Sequence, residues 1–166
     1  MRSAATAAAL LVALLASGCG TKTVDDAAVE KGIKEQVTVA GAPVSKVDCP
    51  SGVESTKGAT FNCSVSFENG ATSKVKVTEP KRGTFQYALV PGSVQVPGSV
   101  AEKEIVKVLD QKGSPDSTAN CPDNIIVKVG TYVVCDVTFA NGRMASVKFT
   151  FTSEDGTVDE SSVETT

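Results

Sequence analysis

Five cysteines and no histidine set the chemistry this 166-residue chain can attempt. Without imidazole there is no Ser-His or Cys-His activation of a nucleophile, no His-ligated metal, and no use of the commonest general acid or base. Cys49, Cys63, Cys121 and Cys135 include no Cys-x-x-Cys pair of the redox kind. Their spacing of 14 within each pair gives zinc no close ligand pair either. Carboxylates adjoin at Asp25-Asp26, Glu154-Asp155 and Asp159-Glu160. These fall at a helix start, in a polar turn and in a terminal strand, where capping and solvation explain them better than glycosidase chemistry, which needs two carboxylates facing across a cleft. No Walker or dinucleotide motif is present. The expectation is a protein that is not an enzyme and takes no cofactor and no metal.

Cys19 has a different setting. Met1-Arg2-Ser3 carries one positive charge, and Ala4 to Ala16 is an apolar run interrupted only by Thr6. That run falls short of the roughly 20 apolar residues of a permanent membrane span and reads as a signal peptide. Leu15-Ala16-Ser17-Gly18-Cys19 resembles the lipobox of bacterial lipoproteins, in which the cysteine is acylated and becomes the new N-terminus. The reading is a lipoprotein signal peptide over residues 1–18 and a lipidated N-terminus with a short tether over 19–23. This tether holds the next element within roughly 20 Å of the lipid surface. The alternative is ordinary cleavage after Ala16-Ser17-Gly18, leaving a secreted protein with an odd thiol. Loss of Arg2 leaves 15 basic residues against 19 acidic ones, a net charge of −4. Such a chain has no electrostatic footprint for nucleic acid and no polybasic patch, so the expected membrane contact is the lipid on Cys19.

The elements that must position the other cysteines are written twice. Shifting the chain by 72 residues superposes Cys49 on Cys121 and Cys63 on Cys135. The same shift superposes Val24 on Val96, Ile33 on Ile105, Gly58 on Gly130 and Asn69-Gly70 on Asn141-Gly142. Two repeats are fewer than a solenoid needs, so each unit is expected to fold around its own core. The boundaries read as 24–90 for the first repeat, 91–98 for a Pro/Gly linker and 99–166 for the second repeat, with Val90-Pro91-Gly92-Ser93-Val94 taken as connector rather than buried strand.

In each unit an amphipathic helix comes first, with Val29, Ile33 and Val37, or Ala101, Ile105 and Leu109, at every fourth position. Gly41 and Gly113 are expected to cap these helices, Pro43 and Pro115 to stop them, and Ser99 with Glu102 to form a capping box. Strands follow. Phe61, Cys63, Val65 and Phe67 alternate with polar residues, as do Val133, Cys135, Val137 and Phe139. Return strands carry Val75 and Val77, or Val147, Phe149 and Phe151. A last strand runs through Phe85, Tyr87 and Leu89, with a poorer counterpart at Val158 and Val163. Same-face pairing demands a three-residue loop with a G1 bulge at Gly70 and Gly142, placing Cys63 opposite Val75 and Phe61 opposite Val77. The expected fold is α+β: two tandem small domains, each an N-terminal helix packed on an antiparallel sheet of about four strands with one disulfide.

This order of helix, Gly-x-Pro, Cys-Pro, strand cysteine and Asn-Gly turn resembles a small actinobacterial envelope domain, the domain-of-unknown-function family 4333, over nearly all of residues 24–90 and 96–163. The resemblance implies export and a paired disulfide, and brings no activity or ligand. Four cysteines admit three pairings. The duplication favours Cys49 with Cys63 and Cys121 with Cys135, because each copy must have been closed before it was copied.

The even-numbered sheet faces are left for binding: Asn62, Ser64, Ser66, Lys74 and Lys76 in the first copy, Tyr132 in the second, although a merely solvated face would look the same. The functional expectation is a non-catalytic cell-envelope lipoprotein on the outer face of the membrane, binding an unidentified envelope protein or polymer. The alternative is a secreted proteinaceous inhibitor, architecturally like the β-lactamase-inhibitory proteins. Against it stand the absence of Trp and the presence of only two Tyr, since inhibitor hot spots favour Trp, Tyr and Arg.

Overall fold

A computed structural model describes residues 22–158 and the backbone of 163–165. The signal peptide, Cys19 and the Asp159-Glu160 pair lie outside the described residues.

Asp25 opens the first helix, α1 (Asp26–Gln36), its carboxylate accepting from the Ala28 amide. This removes one of the orphan donors of the first turn. Val29 and Ile33 are fully buried. The chain then forms β1 (Thr38–Val39), β2 (Ala42–Asp48), β3 (Ala59–Phe67), β4 (Thr72–Lys81) and β5 (Thr84–Leu89). Gly41 does not cap α1. It makes the two-residue turn of the β1–β2 hairpin with Ala40, both at positive φ, and Pro43 lies inside β2 opposite Thr38.

The hairpin between β3 and β4 has the register that parity requires. Phe61 faces Val77 and Cys63 faces Val75. Gly70 supplies the left-handed residue at φ 85° and its amide reaches the Phe67 carbonyl. In the second copy Cys135 faces Val147, Val133 faces Phe149, and Gly142 sits at φ 78°. A two-residue loop would have turned every return-strand valine to the opposite face.

The second copy opens with β6 (Gln95–Pro97), followed by α2 (Gly98–Gln111), β7 (Thr118–Asn120), β8 (Asn124–Ile126), β9 (Tyr132–Thr138), β10 (Met144–Thr150) and β11 (Val163–Thr165). The expected linker is therefore in part a strand. β6 pairs with β8 and also with β4 at Thr72, and Val94 and Val96 are buried. Its counterpart in the first copy is the bridge between Thr23 and Glu54. Gln95–Pro97 is thus the opening strand of the second unit, too short and too closely flanked by Pro and Gly to show a strand pattern.

The capping box does not form either. Pro97 is the N-cap of α2 without a side-chain bond, and Glu102 instead accepts from the Cys121 amide. At the other end Gly113 does cap α2. The Ser114 amide reaches the Leu109 carbonyl and the Gly113 amide reaches the Asp110 carbonyl, the two bonds of a Schellman ending.

The sheets have more strands, and a different division, than two sets of about four. One is seven-stranded, ordered β1-β2-β3-β4-β6-β8 with β5 also on β4, and so draws on both copies; the other is ordered β11-β10-β9-β7. The cores are not separate. Val24, Val29, Ile33 and Val75 belong to the same buried cluster as Val94, Val127, Phe149 and Phe151. A backbone bond from the Ala40 amide to the Asp155 carbonyl joins them. Both disulfides stay within a copy, Cys49 to Cys63 and Cys121 to Cys135. Among the described residues no helix is long and apolar enough to cross a membrane.

Candidate functional site

Parity places the polar residues of β3 and β4 on one face. Asn62 lies opposite Lys76, Ser64 opposite Lys74 and Ser66 opposite Thr72, and β2 extends the row with Lys46 and Asp48. All but the half-buried Ser66 are exposed. Tyr132 is on the other sheet, 61% exposed, with the Lys148 ammonium 5.0 Å from its ring centroid. Five of the six residues expected to share a binding face therefore adjoin, and Tyr132 does not join them.

The inward face of β4 holds a residue that the sequence reading missed. Glu79 follows Ser73, Val75 and Val77 in the odd phase and is fully buried. Its Oε1 accepts from the Ser55 hydroxyl at 2.8 Å and the Gly83 amide at 2.6 Å, while Oε2 has no hydrogen-bond partner among the described residues. Arg82 donates to the Ser55 carbonyl. The Gly83 hydrogen bond outweighs desolvation, and with Ser55 and the Arg82 charge it holds the carboxyl below its ordinary value of 4.5. The cluster ties the loop before β3 to the β4–β5 turn. An acid on the buried phase of a strand was the signal available in the sequence.

A depressed folded-state pKa means stability that is present above the ordinary value and lost as pH falls through the folded value. The stability difference between wild type and Glu79→Gln is therefore expected to be full near neutrality. It should shrink as pH falls below 4.5, read by urea denaturation at each pH. A difference that is constant with pH would show that the fold does not shift the Glu79 carboxyl, and one that grows as pH falls would show that the carboxyl is neutral in the fold.

The third feature is a cavity of about 260 Å³ between α2 and the sheet of the second copy. Ala101, Ile105 and Leu109 line its helix side, and Val147, Phe149 and Phe151 its sheet side. The two phenylalanines meet edge to face, 5.8 Å between centroids. Ala40 of the first copy and Gly156 close one flank. The helix residues expected to be core are only half-buried, and Gly98 is the one buried residue of α2. In the first copy the corresponding space is filled. β5 packs on α1, with Phe85, Tyr87 and Leu89 against the core.

Of the adjoining carboxylates, Asp25 is the α1 cap, and Asp155 accepts from Ser153 and Thr157 within its own turn. Despite desolvation, those bonds leave Asp155 below its ordinary value. Among the described residues no three potential ligands cluster to hold a metal ion.

Two tandem α+β units, each closed by a disulfide across the same 14-residue spacing, define the class. The family model for the domain of unknown function DUF4333 matches the chain twice, over residues 9–81 and 85–156, and the chain belongs to that family. No curated protein and no solved structure matches it.

Proposed function

We propose that this protein is a non-catalytic binding module of the cell envelope, exported and held to the outer face of the membrane by a lipid on Cys19. The first copy is its closed scaffold and the second its ligand-facing half. The observation that carries this reading is the difference between the helices. α1 buries Val29 and Ile33 completely, whereas α2 leaves its apolar stripe over an open cavity. A scaffold duplicated for stability alone has no reason to keep one copy unfilled, since apolar surface left unpacked forfeits both hydrophobic and dispersion stabilisation. Two disulfides suit an oxidising, extracellular compartment.

The anchor is tested by fractionation. Cys19→Ala is expected to move the protein from the membrane to the medium, with loss of the mass of the attached lipid. A variant that stays membrane-bound with unchanged mass would overturn the anchor, and turnover of an envelope substrate by the purified protein would overturn the non-catalytic reading.

A further inference from the structure

We propose that the cavity under α2 holds one aliphatic chain, the tail of an envelope amphiphile, with its polar end at the mouth beside Lys112. The proposal rests on the envelope location argued above and names the ligand class of that binding module.

The first support is a smaller plug. In copy one Gly32 makes room for Tyr87: a Cβ at that position would lie 2.1 Å from the phenol oxygen. Tyr87 and Leu89 are held in place by β5, opposite Val77 and Val75 of β4. In copy two β11 takes the place of β5 on the return strand: Val163 pairs with Phe149 as Tyr87 does with Val77, and Thr165 pairs with Val147 as Leu89 does with Val75. Valine and threonine are smaller than the tyrosine and leucine they replace, and Glu104 stands where copy one has Gly32.

The second support is that the walls have changed in one direction. Gln36, Glu79 and Gln86 of copy one correspond to Val108, Phe151 and Val158, and all three of the latter line the cavity. Ser55, the partner of Glu79, corresponds to Val127, which is fully buried. Shrinking the plug alone would have left polar walls open to water. Instead the polar cluster of copy one is an apolar surface in copy two, and an apolar pocket of this kind suits apolar guests.

Shape and charge narrow the guest. The helix side runs from Val100 to Lys112, about 18 Å at 1.5 Å per residue, so the space is long and suits a chain better than a compact ring. Among the described residues Glu104 and Lys112 are the charged ones that line it. Glu104 is paired with Lys107 at 3.2 Å, while Lys112 has no ion-pair partner among the described residues and is placed to meet an anionic head group.

The test is binding of cis-parinaric acid, a fluorescent long-chain fatty acid, and its displacement by palmitate, on the purified lipidated protein and on its Cys19→Ala form. One saturable, palmitate-displaceable site per chain is expected. Ile105→Trp, which fills the cavity, should abolish it. Val108→Asp lies at the exposed rim, where it does not disturb the core, and should weaken binding about tenfold or more. Gln36→Asp, at the matching position of copy one, should leave binding unchanged. Binding by both protein forms assigns the site to free lipid. Binding by the Cys19→Ala form alone assigns it to the chain's own acyl group, and either result upholds an aliphatic guest. Absence of saturable binding in both forms, or equal affinity of Val108→Asp and wild type, overturns the proposal whatever the membrane fractionation shows.

Discussion

Replacing Cys49 and Cys63 together by alanine is expected to lower the stability of the whole protein by about 3 kcal/mol, the chain-entropy contribution of a loop of this length. The bridge closes a sequence separation of 14. Removing the bond frees this loop in the unfolded chain, which is where a disulfide of this span acts. Each unit is near the size at which a core barely sustains itself. The two units also share one buried cluster and one seven-stranded sheet, so the loss is expected to spread to the second copy. Urea denaturation followed by circular dichroism should show a single transition at a lower midpoint. Two separated transitions would mean that the shared core does not couple the copies. Removing Cys121 and Cys135 is expected to cost a similar amount, because the spacing is the same.

Gly98→Ala is expected to destabilise by about 3 kcal/mol, as overpacking does where neither wall can move. Gly98 begins α2, and its amide donates to the Asp123 carbonyl. A Cβ there would lie 2.3 Å from the Pro122 carbonyl oxygen and 3.2 Å from that of Cys121. Both obstacles are backbone, and the disulfide of Cys121 to Cys135 ties that backbone to β9. The helix would have to retreat from the Cys-Pro segment and carry Pro97 of β6 with it. The melting temperature of the variant checks this, and a value within a degree or two of wild type would show that the helix start is free to shift. The matching residue in copy one is Asp26, so the close approach belongs to copy two alone.

The local rules of the sequence decided a good deal. The phase of Phe61 to Phe67 and of Val133 to Phe139 placed their apolar residues inward, because successive strand side chains alternate faces. Parity across the Asn-Gly turns then fixed both hairpin registers, and the equal spacing of the cysteines selected the disulfide pairing. Each of these depends on neighbours a few residues apart or on the repeat itself. Asp25 as helix cap was legible for the same reason.

Tertiary structure decided what depends on distant partners. Gln95–Pro97 became a strand because Thr72 on one side and Ile126 on the other supply its hydrogen bonds, and no pattern within three residues can announce that. Glu79 is held ionised inside the protein by Ser55 and Gly83, partners that its position on a strand does not reveal. The cavity is the clearest case. The stripe of Ala101, Ile105 and Leu109 signals a helix that covers a core, and periodicity is the same whether the space beneath is filled or empty. Filling it depends on the side chains of a strand that follows α1 by nearly fifty residues and is poorly echoed after α2. A helix pattern records which face is apolar, but whether that face meets protein or an open space depends on volumes contributed from elsewhere in the chain.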